Sequence, residues 1–206
     1  MGNLTLNTIG IRKWFKDRGD YTHNINYDLN EDSKVIDIGG YTGVWSQQII
    51  DKYNPNMYII EPVPMFFDTL IDKFGDNPKV HLLNVGVSTR NKKGKLYMSG
   101  DGTSSNFNNE HPIDIKYRTI EHILWRWNLD KVDLIQINIE GDEYPLLTYM
   151  IKRGLLKYFK NIQVQFHLGI NDAKVKRRYI RKGLKKNNFK IKFDYPFVWE
   201  SWCKDE

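Results

Sequence analysis

One cysteine, Cys203, is all that 206 residues provide, so no disulfide can form within the chain and a reducing compartment is expected. No apolar run reaches the ~18 residues that a membrane-spanning helix needs, and the amino terminus lacks the apolar core of a secretory signal. A soluble, cytoplasmic protein is the expectation. Internal repeats, low-complexity tracts and clear linkers are also missing, which argues for a single domain. The dinucleotide signature G-x-G-x-x-G is absent too: Gly39, Gly40 and Gly43 are spaced wrongly for it.

What is present is globular. Hydrophobic residues make up 40% and aromatic residues 14%, too many for a disordered chain. A chain of this length buries roughly 70% of its unfolded surface. The net charge of +6 favours anionic partners, although lysine-rich composition alone produces it. Much of it sits in the run 174–186, where Val175, Tyr179, Ile180 and Leu184 fall roughly on one side. An amphipathic helix with a solvated basic face is the simpler reading. Docking on an acidic partner or a phosphate-bearing substrate is the alternative.

Residues 1–34 are polar, with a helix predicted around 9–16, and read as a lead-in or cap; the main domain occupies 35–206. Strands are expected at 35–38, 57–60, 80–87, 132–139, 162–166, 189–193 and 197–200. Helices are expected at 42–53 (Trp45, Ile49 and Tyr53 on one face), from Pro64 onward (Phe66, Leu70, Phe74), around Leu146, Leu147, Met150 and Ile151, and at 172–187. Short strands at 95–99 and 113–119 form a hairpin-like insertion around the polar loop 100–109. Such alternation predicts an α/β domain with a mostly parallel seven-stranded sheet and an antiparallel edge.

In such sheets ligands bind beyond the carboxyl ends of the strands. The first strand runs into Asp37-Ile38-Gly39-Gly40-Tyr41-Thr42-Gly43, and the second ends in Glu61. Glycines let a backbone approach a ligand closely, and an acid at Glu61 accepts hydrogen bonds from two ribose hydroxyls. Asp37 would repel a pyrophosphate but hold a cationic amino-acid tail. Together they indicate S-adenosylmethionine (SAM), which carries a sulfonium and an ammonium but no phosphate. The other strand tips add Asn84, Gly86 and Val87, then Glu140, Asp142 and Glu143, then His167. Gly86 either marks a turn or lets the backbone lie against the adenine edge. The Glu140–Glu143 acids could equally be helix amino-terminal acids, and His167 a satisfied core histidine.

The segments Val35 to Gly43, Ile60-Glu61-Pro62, Gly102-Thr103-Ser104-Ser105, Tyr117 to Glu121 and Asp133 to Glu143 resemble the FkbM-type SAM-dependent methyltransferases, in order and spacing, from about residue 33 to 168. The resemblance implies a Rossmann-like class I methyltransferase fold and O-methylation, often of sugar or polyketide hydroxyls. It implies cofactor contacts at Asp37, Gly39, Gly43 and Glu61, with Glu140 beside the reacting centre. The full expected cofactor set adds Gly40, Tyr41, Pro62, Asn84, Gly86, Val87 and Ser104. Two positions depart from the family: Asn138 and Gln165 stand where it commonly has acids.

The expected catalytic residues are His167, Glu140 and Asp142, with His167 as base and Glu140 positioning the acceptor or orienting the histidine. Mg²⁺ on Asp142 and Glu143 is conceivable, but Asn138 weighs against it, and no metal ligand is assigned. The expected acceptor is a sugar or glycan, and the chain could be one domain of a larger glycan-building protein. Trp125, Trp127, Tyr195, Trp199 and Trp202 could stack on a sugar ring or simply fill the core. Nucleic acid is a weaker expectation: Asn138-Ile139-Glu140-Gly141 stands where base-amine methyltransferases carry Asn/Asp-Pro-Pro-aromatic, leaving only ribose methylation. A non-catalytic cofactor-binding module is the remaining alternative.

Overall fold

The chain folds into two sheets that meet at one cavity. In chain order the elements are α1 (Gly2–Lys16), β1 (Lys34–Ile38), α2 (Val44–Tyr53), β2 (Asn56–Ile60), α3 (Pro64–Phe74), β3 (Val80–Leu83), β4 (Gly86–Val87), β5 (Lys92–Ser99), β6 (Gly102–Ser104), β7 (Ile113–Arg118), α4 (Ile120–Arg126), β8 (Val132–Ile137), α5 (Glu143–Lys152), β9 (Phe159–Val164), α6 (Ala173–Lys186), β10 (Phe189–Tyr195) and β11 (Trp199–Lys204). The computed structural model describes residues 2–99, 102–104 and 112–204, with side chains at 8–97 and 112–204.

The main sheet has seven strands in the order β10-β11-β9-β8-β1-β2-β3. Strands β9, β8, β1, β2 and β3 are parallel, and β11 joins β9 antiparallel with β10 outside it. This is the expected mostly parallel sheet with an antiparallel edge. Order reverses between β1 and β8, which opens a crevice at their carboxyl ends.

Period-two alternation decides which helix layer each strand residue meets. Ile36, Ile38, Tyr58 and Ile60 join a large core with α4, α5 and α6, built around Ile135, Leu147, Phe159 and Trp202. Val35, Met57 and Ile59 face the other way, against Trp45, Ile49, Leu70 and Phe74 of α2 and α3. Each fully buried side chain such as Ile49 contributes roughly 1.5–3 kcal/mol. Trp199, Trp202 and Tyr195 are likewise buried, so they are core residues rather than a sugar platform.

Four expectations need correction. The apolar stretch 80–87 is not one strand: it breaks at Asn84, and β4 pairs with β7 in a second sheet ordered β4-β7-β5-β6. The hairpin insertion is therefore this whole small sheet, packed on Val63 and Phe66 through Leu96, Ile115 and Tyr117. Strand β9 also begins and ends earlier than expected, leaving His167 in the loop beyond it. On α6, Ile180 and Leu184 are buried, whereas Val175 and Tyr179 are exposed. Finally, α4 was not expected, although its signals are present: Thr119 caps it by accepting the His122 N–H at 3.3 Å, and Ile120, Ile123 and Leu124 form its buried face.

The lead-in is fastened along the domain. Trp14 of α1 meets the Tyr195 ring edge-on at 5.0 Å, and Tyr195 donates to Asp17 at 2.7 Å. Further along, the Trp45 indole donates to the Asn24 carbonyl at 3.0 Å.

Candidate active site

The turn after β1 is shaped by close approach. Gly39 has φ +91°, and a Cβ there would sit 2.1 Å from the Asn138 carbonyl oxygen; a Cβ on Gly40 would strike the Ile59 side chain at 2.3 Å. Both backbone N–H groups, of Gly39 and Gly40, donate to the Ile60 carbonyl. The turn is thereby pinned to the ends of β2 and β8 with no room for a side chain. It borders a cavity lined by Gly39, Tyr41, Glu61, Pro62, Phe66, Val85, Gly86, Val87, Leu96, Tyr117, Asn138, Ile139, Glu140 and Asp142.

Glu61 lies on the cavity floor, nearly buried, accepting the N–H of Tyr41 and of Val63, each at 2.9 Å. Each carboxylate oxygen has lone-pair capacity left for a further donor. Burial lifts its pKa to about 7; the two N–H bonds oppose the rise, and the charge of Asp37 adds to it. Asn84 stands outside the lining but donates to the carbonyls of Glu61 and Pro62 at 2.8 and 3.1 Å, holding that corner. Gly86 does border the cavity, yet its missing Cβ serves the Tyr117 ring, which a side chain would meet at 2.7 Å. Gly43, at φ +72°, is spared a clash with Phe74. Ser104 ends β6; its side chain, and residues 100, 101 and 105–109 of the polar loop, lie outside the described residues.

Asp37 is placed differently from expectation. It points with Val35 toward α2, buried, and is not part of the cavity lining. Ser46 donates to it at 2.6 Å and Gln136 at 3.3 Å. Burial raises its pKa to about 6 against these two bonds. It begins a buried polar row in which Asp37, Gln136, Gln163 and Ser201 stand opposite one another on four adjacent strands. Gln163 donates to Gln136 at 2.7 Å and to Asn24 at 2.6 Å; Tyr27 donates to Gln163 and meets Ser201 at 2.8 Å. Asp37 thus lies beneath the turn, bonded to Ser46 of α2 and Gln136 of β8 and outside the cavity lining.

The opposite rim follows β8. Asn138, Ile139, Glu140 and Asp142 line it, with Glu140 at φ +50°, a left-handed conformation uncommon for glutamate, and Gly141 at φ +111°. The Asn138 side-chain oxygen is buried with no hydrogen-bond partner among the described residues. Glu143 is wholly buried and accepts the Gly141 N–H at 2.7 Å. Its other oxygen accepts the His167 N–H at 2.9 Å and faces the ring Nδ1 at 3.2 Å, while ring Nε2 lies 3.3 Å from Glu140.

Burial opposes the charged imidazole, but the hydrogen bonds and charges of Glu140 and Glu143 outweigh it and lift its pKa to about 9. His167 is therefore an imidazolium at neutral pH, which removes it as the expected base. Glu143, committed to Gly141 and His167, is also a poor metal ligand. Among the described residues there is no cluster of three or more His, Cys, Asp or Glu placed to hold a metal.

These residues suit SAM. Glu61 can take ribose hydroxyls, Tyr117, Leu96, Val85 and Ile139 offer an apolar slot for adenine, and the orphaned Asn138 oxygen awaits a donor.

The family model described as methyltransferase FkbM domain matches residues 37–191. No curated protein matches the sequence. Among solved structures, the chain is similar to the Methanococcus jannaschii fibrillarin pre-rRNA processing protein: 16% identity, TM-score 0.54, covering 87% of this chain and 69% of that one. The Geobacter metallireducens precorrin-6y C5,15-methyltransferase is 11% identical, with TM-score 0.52 over 91% of this chain and 87% of its own. Aeropyrum pernix fibrillarin, solved with natively bound SAM, is 10% identical at TM-score 0.51, over 86% and 68%. At these identities the likeness is one of fold.

Proposed function

The chain belongs to the FkbM methyltransferase family, a SAM-dependent class, and from that premise we propose that it methylates a hydroxyl of a sugar or glycan. The observation carrying the reading is Glu140, a cavity-lining carboxylate held in a left-handed turn and backed by a charged histidine. A hydroxyl must lose its proton on methylation, and a positioned base contributes ~10²–10⁴-fold.

SAM, when bound, supplies an electrophilic methyl carbon on a sulfonium. Glu61 would hold the ribose end, and the pinned turn would set the depth of the site. Glu140 would take the proton that the acceptor hydroxyl gives up on methylation. His167, already protonated, orients Glu140, and Glu143 orients His167. Asp142 lies at the edge of the cavity, where the acceptor enters.

A ribose hydroxyl in a nucleic acid is the second reading. It is favoured by Lys174, Arg178, Lys182 and Lys185, which follow one another turn by turn along α6 and border a shared surface hollow with Phe197. One experiment separates the two: labelled SAM offered with a panel of saccharides and with RNA. Transfer to saccharides that falls ~10²–10⁴-fold in Glu140→Gln, with SAM affinity retained, supports the proposal. Transfer to RNA alone supports the second reading, and an undiminished rate in Glu140→Gln removes the base.

A further inference from the structure

A second concavity begins where the first ends. Between α5 and α6 runs a groove lined by Asp142, Tyr144, Thr148, Lys152, Lys176 and Tyr179, among others, and Asp142 also lines the cofactor cavity. Tyr144 ties the two together, donating to the His167 carbonyl at 2.8 Å. The groove carries uncovered apolar surface on an otherwise basic helix: Val175 is 61% exposed and Tyr179 49%.

Its charges are sorted. Carboxylates stand at the cavity end, where Asp142 is followed by Glu140, and the two ammonium groups, Lys152 and Lys176, border the remainder. Among the described residues neither lysine joins an ion pair, whereas the inward-facing Arg177 and Arg181 of the same helix are taken by Asp194 and Glu200. From Asp142 to Lys152 the helix rises ~15 Å, enough for more than one sugar ring.

We propose that this groove is the acceptor subsite and that its occupant is an anionic saccharide. The proposal rests on the sugar-hydroxyl reading above and names the substrate class within it. A sugar ring presents an apolar face of C–H groups that packs on an exposed aromatic such as Tyr179. A carboxylate or phosphate on the same molecule makes charge-assisted hydrogen bonds to Lys152 and Lys176. Repulsion from Glu140 and Asp142 keeps that anion away from the transfer point, so the reacting hydroxyl enters the cavity first. The groove thus sets orientation as well as affinity.

The test uses the full chain saturated with S-adenosylhomocysteine, titrated by NMR with four probes: a glucuronate-containing disaccharide, glucose 6-phosphate, cellobiose and glucose. The expected result is that one or both anionic probes bind at least tenfold more tightly than the matched neutral sugar. Binding should weaken tenfold or more in Lys152→Glu/Lys176→Glu and several-fold in Tyr179→Ala, with S-adenosylhomocysteine affinity unchanged within twofold. The two anionic probes distinguish carboxylate from phosphate as the preferred group. Equal binding of charged and neutral sugars, no binding of either anionic probe at millimolar concentration, or indifference to the lysine substitutions would overturn the proposal. Its failure is distinguishable from failure of the parent reading: neutral saccharides methylated at full rate by the lysine variant sink the anionic subsite alone, whereas transfer to RNA and to no saccharide sinks both.

Discussion

Glu143 holds His167 twice through a single oxygen, which accepts the backbone N–H at 2.9 Å and faces the ring Nδ1 at 3.2 Å. Main chain and ring are therefore fixed by one buried carboxylate. The ring can turn little without losing its contact to the carboxylate that also holds the loop after β9. This makes Glu143 a positioning residue: it sets where the imidazolium sits, and the imidazolium sets Glu140.

A titration follows from this pairing. The folded-state pKa of His167, about 9, lies above its ordinary value of 6.5. The stabilisation it brings is fully present below pH 6.5 and is lost as pH rises toward 9, amounting to at most ~3 kcal/mol. The imidazole NMR signal is expected to titrate near pH 9, and near its ordinary value in Glu143→Gln. Urea denaturation between pH 6 and 10 should show the matching decline. A midpoint near 6.5 in the unsubstituted protein would contradict the arrangement.

Glu61 behaves in the same sense, over a lower pH range. Its pKa is raised from 4.5 to about 7 by burial, so the ligand-free fold binds more protons than the unfolded chain between these values. Its contribution to stability falls as pH rises from 4.5 to 7. Ribose hydroxyls that donate to the carboxylate favour its charged form. SAM affinity is therefore expected to increase from pH 6 to 8 by calorimetry, and that increase should vanish in Glu61→Gln together with most of the affinity.

Substitution of Gly39 by alanine tests the pinned turn. The new Cβ would stand 2.1 Å from the Asn138 carbonyl oxygen at a backbone angle of +91°. Strain of this kind costs ~1–3 kcal/mol before the clash is relieved. A lower thermal midpoint and a loss of SAM binding are expected, whereas Gly169→Ala, where nothing lies within 4 Å, should be neutral.

The polar row predicts action at a distance from the cavity. Gln136→Leu removes the donor to Asp37 and the acceptor of Gln163, leaving buried polar atoms unpaired at ~1–3 kcal/mol. Denaturation should report that loss. SAM affinity should fall as well, although Gln136 touches no ligand, because Asp37 and Ser46 brace the glycine turn against α2. Unchanged affinity alongside lowered stability would confine the row to a structural role.

Much of this was legible in the sequence. The β1 and β2 strands, the amphipathic helices that cover them, and the acid at Glu61 announce themselves through local spacing. The orientation of Asp37 was also written there, since Ile36 and Ile38 must share the opposite face. What local spacing cannot carry is register between distant strands. Gln136 and Gln163 look like interruptions of apolar runs until β8 and β9 lie side by side and their amides meet. The charge on His167 likewise depends on Glu143, 24 positions earlier, arriving beneath it. Strand β4 misled for a related reason: two residues cannot reveal which sheet will accept them.

The cavity draws its lining from both sheets, with Gly39 and Glu61 at the tips of β1 and β2 on one side, and Leu96 and Tyr117 from β5 and β7 on the other. Whatever fills it acts as a rivet between two separately hydrogen-bonded bodies. A ligand bound there stabilises the attachment of the small sheet to the large one as well as its own site.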